Sequence, residues 1–240
     1  KQVSAQNARL KDFQHKKFNY ETKSTGMFNA DYEINSKNNI DYNFLFVNSS
    51  TQSHDEYRGY IRDIAESNVG GILTRNNYTE NRLMAHQLLG THDIADNQTF
   101  NWGVSYNSIK SFMPDRTQTI LRHREDENDY VIASNSASDN HRYFHDLNEN
   151  EIALNAAYDY KFNKNENDQY KGKLVVGYNG KMKKREFNAR QFNFDIASDQ
   201  LQIARDPNNM DGFFNQQNFE QGLFNISTFR GNNNALEPQY

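Results

Sequence analysis

The chain has no cysteine in its 240 residues, which excludes disulfide scaffolds, thiolate metal centres and cysteine nucleophiles together. Apolar residues are scarce, at 35%, and the mean hydropathy is -1.02, little for a globule that must bury a sizeable core. No run of about 18 apolar residues occurs, so no transmembrane helix is encoded; that test does not bear on β-barrels. A basic surplus is missing too. Lys+Arg number 27 against 31 Asp+Glu, for a net charge of -4, and nucleic acid is excluded as a partner because phosphate binding needs a cationic stripe. Neither a glycine-rich phosphate loop, a nucleophile elbow nor an H-E-x-x-H pair is present, so no enzyme and no cofactor is expected.

Aromatic residues, in contrast, are plentiful. They reach 13%, with 14 Tyr and 17 Phe, whereas disordered chains are aromatic-poor. Apolar character must therefore be concentrated on a few faces. Over residues 22–34 the even positions read Thr, Ser, Gly, Phe, Ala, Tyr, Ile and the odd ones are mostly polar. After the turn cluster Asn35-Ser36-Lys37-Asn38-Asn39 the alternation resumes with Ile40, Tyr42, Phe44 and Phe46 against Asp41 and Asn43. A period of two on both sides of a short polar break predicts a β-hairpin.

The pattern returns twice. Leu83, Ala85 and Leu89 oppose Arg82, His86 and His92, and after a turn at Ala95-Asp96-Asn97 come Phe100, Trp102, Val104 and Tyr106. Then Ile152, Leu154, Ala156, Tyr158, Tyr160 and Phe162 lead through a polar turn at 163–169 to Leu174, Val176, Tyr178 and Met182. Hairpins are thus expected at about 20–49, 79–108 and 151–187. Long loops are expected at about 52–77, 113–147 and 188–240, with residues 1–18 as a loop and a short helix carrying Tyr57, Tyr60, Ile61 and Ile64. The fold class is all-β: an antiparallel up-and-down meander, with short turns at one end and long loops at the other. That regular alternation, with aromatics crowded toward the short turns, is the pattern of an outer-membrane barrel wall, its short turns periplasmic and its long loops extracellular. A soluble β-sandwich with its apolar face on a core stays open as the rival.

Other signals are weaker. His141 and His145 have the spacing of a helical metal pair but lack a third ligand. The run Asp206-Pro207-Asn208-Asn209-Met210-Asp211-Gly212 approaches a calcium loop, yet its glycine is one residue late and Gln217 stands where the bidentate Glu belongs. No metal site is expected. The charged run at 124–129 is expected to be a solvated loop tip. Tyr57, Tyr60, Phe213, Phe214 and Phe219 are the candidate substrate-binding residues, since loop aromatics stack well on sugars and peptides.

The hairpins, the phrase Met113-Pro114-Asp115-Arg116, the segment Gly177-Tyr178-Asn179-Gly180 and above all Asn234-Ala235-Leu236-Glu237-Pro238-Gln239-Tyr240 resemble the barrel domain of TonB-dependent outer-membrane receptors, nearest to the large Asn- and Tyr-rich nutrient importers. The resemblance extends over nearly the whole chain as texture; none of its motifs is as specific as a metal or phosphate signature. It implies a 22-stranded transmembrane β-barrel closed by a plug domain and sited in the bacterial outer membrane. It also implies energised uptake of a nutrient (glycan, peptide or chelate) driven by an inner-membrane energising complex, with a surface lipoprotein as a further partner in many relatives. The sequence departs from that pattern. About six strands are legible, with no plug, so the chain is expected to be part of a longer protein whose remaining strands and plug lie elsewhere. The alternatives are a non-transport outer-membrane barrel of a secretion or assembly complex, and a soluble secreted β-sandwich that binds carbohydrate or protein.

Overall fold

Few prolines and glycines interrupt the alternating stretches, and the strands they form are long. The structure, a computed structural model, describes residues 2–5, 9–61, 70–124, 129–136, 138–166 and 168–228. In chain order the strands are β1 (Gln2–Val3), β2 (Arg9–Asn35), β3 (Asn38–Ile61), β4 (Gly71–Ala95), β5 (Gln98–Arg124), β6 (Asp129–Ile132), β7 (His141–Lys164), β8 (Tyr170–Ile196) and β9 (Phe224–Thr228). Between β8 and β9 lie two 3-10 turns, Ser198–Gln200 and Met210–Gly212, and one short helix, α1 (Gln216–Glu220). All described strands belong to one antiparallel sheet in the order β1-β2-β3-β4-β5-β7-β8-β9, with β6 pairing the far end of β5. Apart from β6, which pairs only β5, each strand pairs the next one in the chain, so the sheet is an up-and-down meander. The sheet is not closed: the outer edges of β2 from Asp12 onward and of β8 up to Gln191 carry no partner strand among the described residues. No second sheet packs on it there, as a sandwich would require.

Several expected loops are strand. β3 continues to Ile61 and carries Tyr57 and Tyr60, so the expected helix does not form; Ile64 lies outside the described residues. β2 begins at Arg9, within the expected N-terminal loop. The phrase Met113-Pro114-Asp115-Arg116 does not open a loop but forms a bulge inside β5, where the register skips one residue relative to both β4 and β7. Proline has no N–H for the ladder, and a bulge is where a sheet accommodates it. What remains of the long connections is 62–70, 125–140 and 197–223.

The expected turns are present at the other end. Asn35 Oδ1 accepts from Lys37 N (3.0 Å) and from Asn38 Nδ2 (2.7 Å), an asparagine-built two-residue turn. The next turn is Asp96-Asn97. The third is built on Asn165, whose Oδ1 accepts from Gln169 N at 2.8 Å. These turns descend in steps. Asp93 N donates to Lys37 O, three residues short of the second turn, and Lys161 N donates to Asn97 O, four short of Asn165.

Register assigns the faces. One lateral row runs Phe28, Phe44, His86, Tyr106, Ile152, Met182, and the rows beside it carry Tyr32, Ile40, Trp102 and Tyr178, then Tyr42, Leu88, Val104 and Leu154. This aromatic face includes His86, whereas Leu83, Ala85 and Leu89 lie on the opposite, polar face, the reverse of the assignment expected for β4. His86 is accommodated among aromatics because Tyr42 Oη is 2.8 Å from its Nδ1, with Phe44 at 4.8 Å between ring centroids. On the polar face directly behind, Asn29 Nδ2 donates to Asn43 Oδ1 (2.5 Å) and Asn43 Nδ2 to Gln87 Oε1 (3.2 Å). Further along, Lys183 and Arg185 both meet Glu149, and Lys173 meets Asp159 at 2.8 Å.

Among the described residues, buried hydrophobic side chains are confined to the loop end. Ile72, Leu121, Ile132, Phe194, Phe213 and Phe224 form a core where the 197–223 segment folds over the aromatic face. Ile61, Ile120 and Ala133 form a second on the polar face under the β6–β7 connection. The short-turn half has neither cover. Its aromatic face leaves Phe28 56%, Leu174 55%, Tyr178 68% and Met182 80% exposed.

Candidate functional site

The five aromatics singled out in the sequence do not converge. Tyr57 is on the polar face, stacked on His15 with centroids 4.2 Å apart, and Tyr60 is two rows from the end of β3 on the other face. Phe213 and Phe214 do meet, at 5.1 Å, and join Phe194 and Phe224; Phe219 lies 5.8 Å from Phe224. This cluster is the packing between the 197–223 segment and β8–β9. Two asparagines shape that segment: Asn209 Oδ1 accepts from Gly212 N, and Asn215 Oδ1 caps α1 by accepting from Asn218 N at 2.9 Å. Beside the cluster a shallow groove of about 360 Å³ is lined by Phe144, Phe192, Phe214, Phe219 and Ile226, with Arg142 at its rim. Arg142 is itself forked onto Asp115, Nε to Oδ1 at 3.0 Å.

The sequence-level metal signals dissolve in the geometry. His141 and His145 are four residues apart on one extended strand, about 13 Å, too far to share an ion. Asp206 turns its carboxylate onto Asn208 N, at 2.9 Å, in an ordinary local turn. Among the described residues no cluster of three or more metal-ligating side chains occurs. The charged run at 124–129 closes on itself as a bidentate pair, Arg124 Nε to Asp129 Oδ1 (3.0 Å) and Nη2 to Oδ2 (2.7 Å), with 125–128 outside the described residues.

A different constellation lies on the polar face at the loop end, in two adjacent lateral rows. One reads Lys17, Asp55, Arg75, Gln118, His141, Asn193; the other reads Asn19, Ser53, Asn77, Arg116, Tyr143, Gln191. The bulge at Pro114 sets up the second row. Strict alternation over the seven residues from Ile109 would carry Arg116 to the opposite face, but the bulge takes up one of them, and Arg116 stays on the polar face beside Tyr143. His141 is buried, and its Nδ1 lies 2.7 Å from Ser138 O, so that nitrogen carries the proton and Nε2 is free to accept from Arg116 Nη2 at 3.2 Å. Burial, with Arg116 and Arg75 close by, holds the pKa of His141 below the ordinary value. Burial and then the charge of Arg75 lower that of Arg116. Asp55 is also below the usual carboxylate range: burial raises it, but the hydrogen bond from His15 and the charge of Lys17 outweigh that. Sequence reasoning missed this cluster because its members lie scattered over β4, β5, β7 and β8, and only the register brings them together.

Compared with known proteins, the chain matches no family model, and no curated protein is similar to it.

Proposed function

We propose that this sheet is a section of the wall of a large outer-membrane β-barrel, and that the barrel is a TonB-dependent transporter taking up a nutrient (glycan, peptide or chelate). The observation that carries the reading is the uncovered apolar band on the aromatic face, continuous through all six long strands at residues 26–34, 40–46, 84–90, 100–106, 152–162 and 174–182. The runs span seven to eleven residues, against the roughly 9–11 with which a tilted strand crosses a bilayer. The turn-side edge of the band descends with the turns, while its other edge stays near the row of Phe28, Phe44, His86, Tyr106, Ile152 and Met182. A step of three to four residues per hairpin, at about 3.3 Å per residue and about 4.8 Å between strands, corresponds to strands inclined by about 45–55° from the normal of a slab that follows the turns. Barrel walls are inclined by roughly 35–45° from that normal. The polar face, with its amide ladder and ion pairs, then lines a wet lumen, while the unpaired edges of β2 and β8 receive the neighbouring strands of the same barrel. The transport role comes from the family resemblance. It entails a plug, an inner-membrane energising complex and, as in many relatives, a surface lipoprotein as partners.

Trp102, the only tryptophan, lies on the aromatic face near the short turns and tests the band directly. In bilayers containing brominated phosphatidylcholine its emission should be quenched, most strongly by bromines near the headgroup. Quenching by aqueous acrylamide alone, or cooperative folding in buffer without detergent, would overturn the membrane assignment. The transport role is tested separately. Disrupting the gene in the source bacterium should abolish growth on one class among glycans, peptides and metal chelates, and disabling the energising complex should reproduce that loss. Unchanged growth on every class would leave a barrel wall without an uptake role.

A further inference from the structure

The two polar-face rows described above hold more hydrogen-bond donors than acceptors. Arg75 pairs across the strands with Gln118, and Arg116 with Asn77, which makes the two arginines diagonal neighbours about 7–8 Å apart at the backbone. Among the described residues neither guanidinium has a carboxylate partner. Arg75 directs Nε and Nη2 at the neutral Oε1 of Gln118, at 3.2 and 2.5 Å. Arg116 gives Nη2 to His141 and lies over the Tyr143 ring at 4.4 Å from its centroid.

Two donors in these rows are left over: among the described residues Arg116 Nε and, on the wholly buried side chain of Asn193, Nδ2 have no acceptor. The nearby acids are engaged elsewhere. Asp55 binds His15 Nε2 at 2.8 Å and accepts from Ser53, Asp139 Oδ2 accepts from the backbone of Asn135 and Ser136, and Asp115 is on the opposite face with Arg142. Two like charges at this separation repel, and unpaired N–H groups under cover are destabilising. An anion bound between the guanidinium groups would offset their repulsion and accept from Arg116 Nε, and the arginine fork matches a planar carboxylate or a tetrahedral oxyanion.

We propose that Arg75 and Arg116 bind an anionic group, a carboxylate, sulfate or phosphate, with the Tyr143 ring and the amides of Asn77 and Gln191 at the margin of the site. An aromatic ring, carboxamides and a cation pair in one patch suit an acidic sugar better than a neutral one. Describing the ligand as transported cargo rests on the function proposed above; the binding site itself does not.

The test is calorimetric titration of the full chain, folded in detergent, with glucuronate, sodium sulfate and glucose. Glucuronate should bind, sulfate should compete with it, and glucose should not bind. Arg75→Gln and Arg116→Gln should each weaken glucuronate about tenfold or more, while Arg82→Gln, on the aromatic face beside Glu80, should leave it unchanged. Sulfate binding without glucuronate binding would restrict the ligand to inorganic or ester oxyanions. Absence of binding by either anion, or equal losses in all three variants, would overturn the site. Should Arg116→Gln not fold, Arg75→Gln decides by the same comparison. Binding through these arginines in a chain whose Trp102 is not reached by brominated lipid would keep the site and remove the membrane, so the two readings fail independently.

Discussion

Trp102 lies flat across Gly90 on the neighbouring strand, and a β-carbon at Gly90 would fall 2.3 Å from ring atoms Cε2 and Nε1. The ring is held there from its other edge, since Nε1 donates to His92 Nε2 at 2.9 Å. His92 can accept because its other nitrogen, Nδ1, carries the proton to Asn38 Oδ1 at 2.7 Å, which links three strands through one imidazole. Gly90→Val should therefore lift the indole, break its bond to His92 and destabilise the protein by about 1–3 kcal/mol. The emission maximum should move to the red and the urea midpoint should fall. An unchanged emission maximum would show that the ring does not depend on the glycine beneath it.

Within an element, the Pro114 bulge is the most informative irregularity. β5 carries one residue more than either neighbour at this point, with Met113 opposite His145 and Arg116 opposite Tyr143. Deleting Pro114 should restore an uninterrupted ladder and leave every side chain on its present face, so the variant should fold to near wild-type yield and retain anion binding. Deleting Ile109 instead should shift the loop half of β5 by one residue and exchange its faces, and folded yield should collapse. Equal tolerance of both deletions in a protease-resistance assay would contradict the register. The same element shows what the sequence could disclose. The alternating runs 100–106 and 152–162 announced themselves because one face is apolar and the other polar. Above them, stretches such as Ser50-Thr51-Gln52-Ser53-His54 and Thr74-Arg75-Asn76-Asn77 are polar on both faces, the period disappears, and strand is indistinguishable from loop by composition. In β4, Met84 and Leu88 compete with Leu83 and Leu89 for the apolar parity, and only pairing with Phe44 and Tyr106 decides it. The candidate aromatics do not all meet for a related reason: Tyr57 and Phe213 belong to different faces of a sheet whose extent the sequence understated.

At the scale of the molecule, the two halves of the sheet are covered differently. The loop half is covered by the 197–223 segment on one face and by the β6–β7 connection on the other, and it holds every buried hydrophobic residue described. The short-turn half has a polar face cross-linked by amides and ion pairs and an aromatic face with nothing on it. If lipid covers that face, Phe44→Arg should cost about 2–4 kcal/mol of stability in bilayers, while Asn43→Arg on the polar face should cost little. Equal effects of the two substitutions on folding into vesicles would separate the band from the bilayer. The turns below that band also matter in time. A two-residue connection such as Ser36-Lys37 or Asp96-Asn97 closes at the smallest entropic cost in the chain, whereas joining β5 to β7 must first close the far longer 125–140 segment. Pairing should thus start at the polar tips and zip outward, so that the apolar band is assembled hairpin by hairpin before the arginine rows meet, and the last contacts to form are those that the ligand needs.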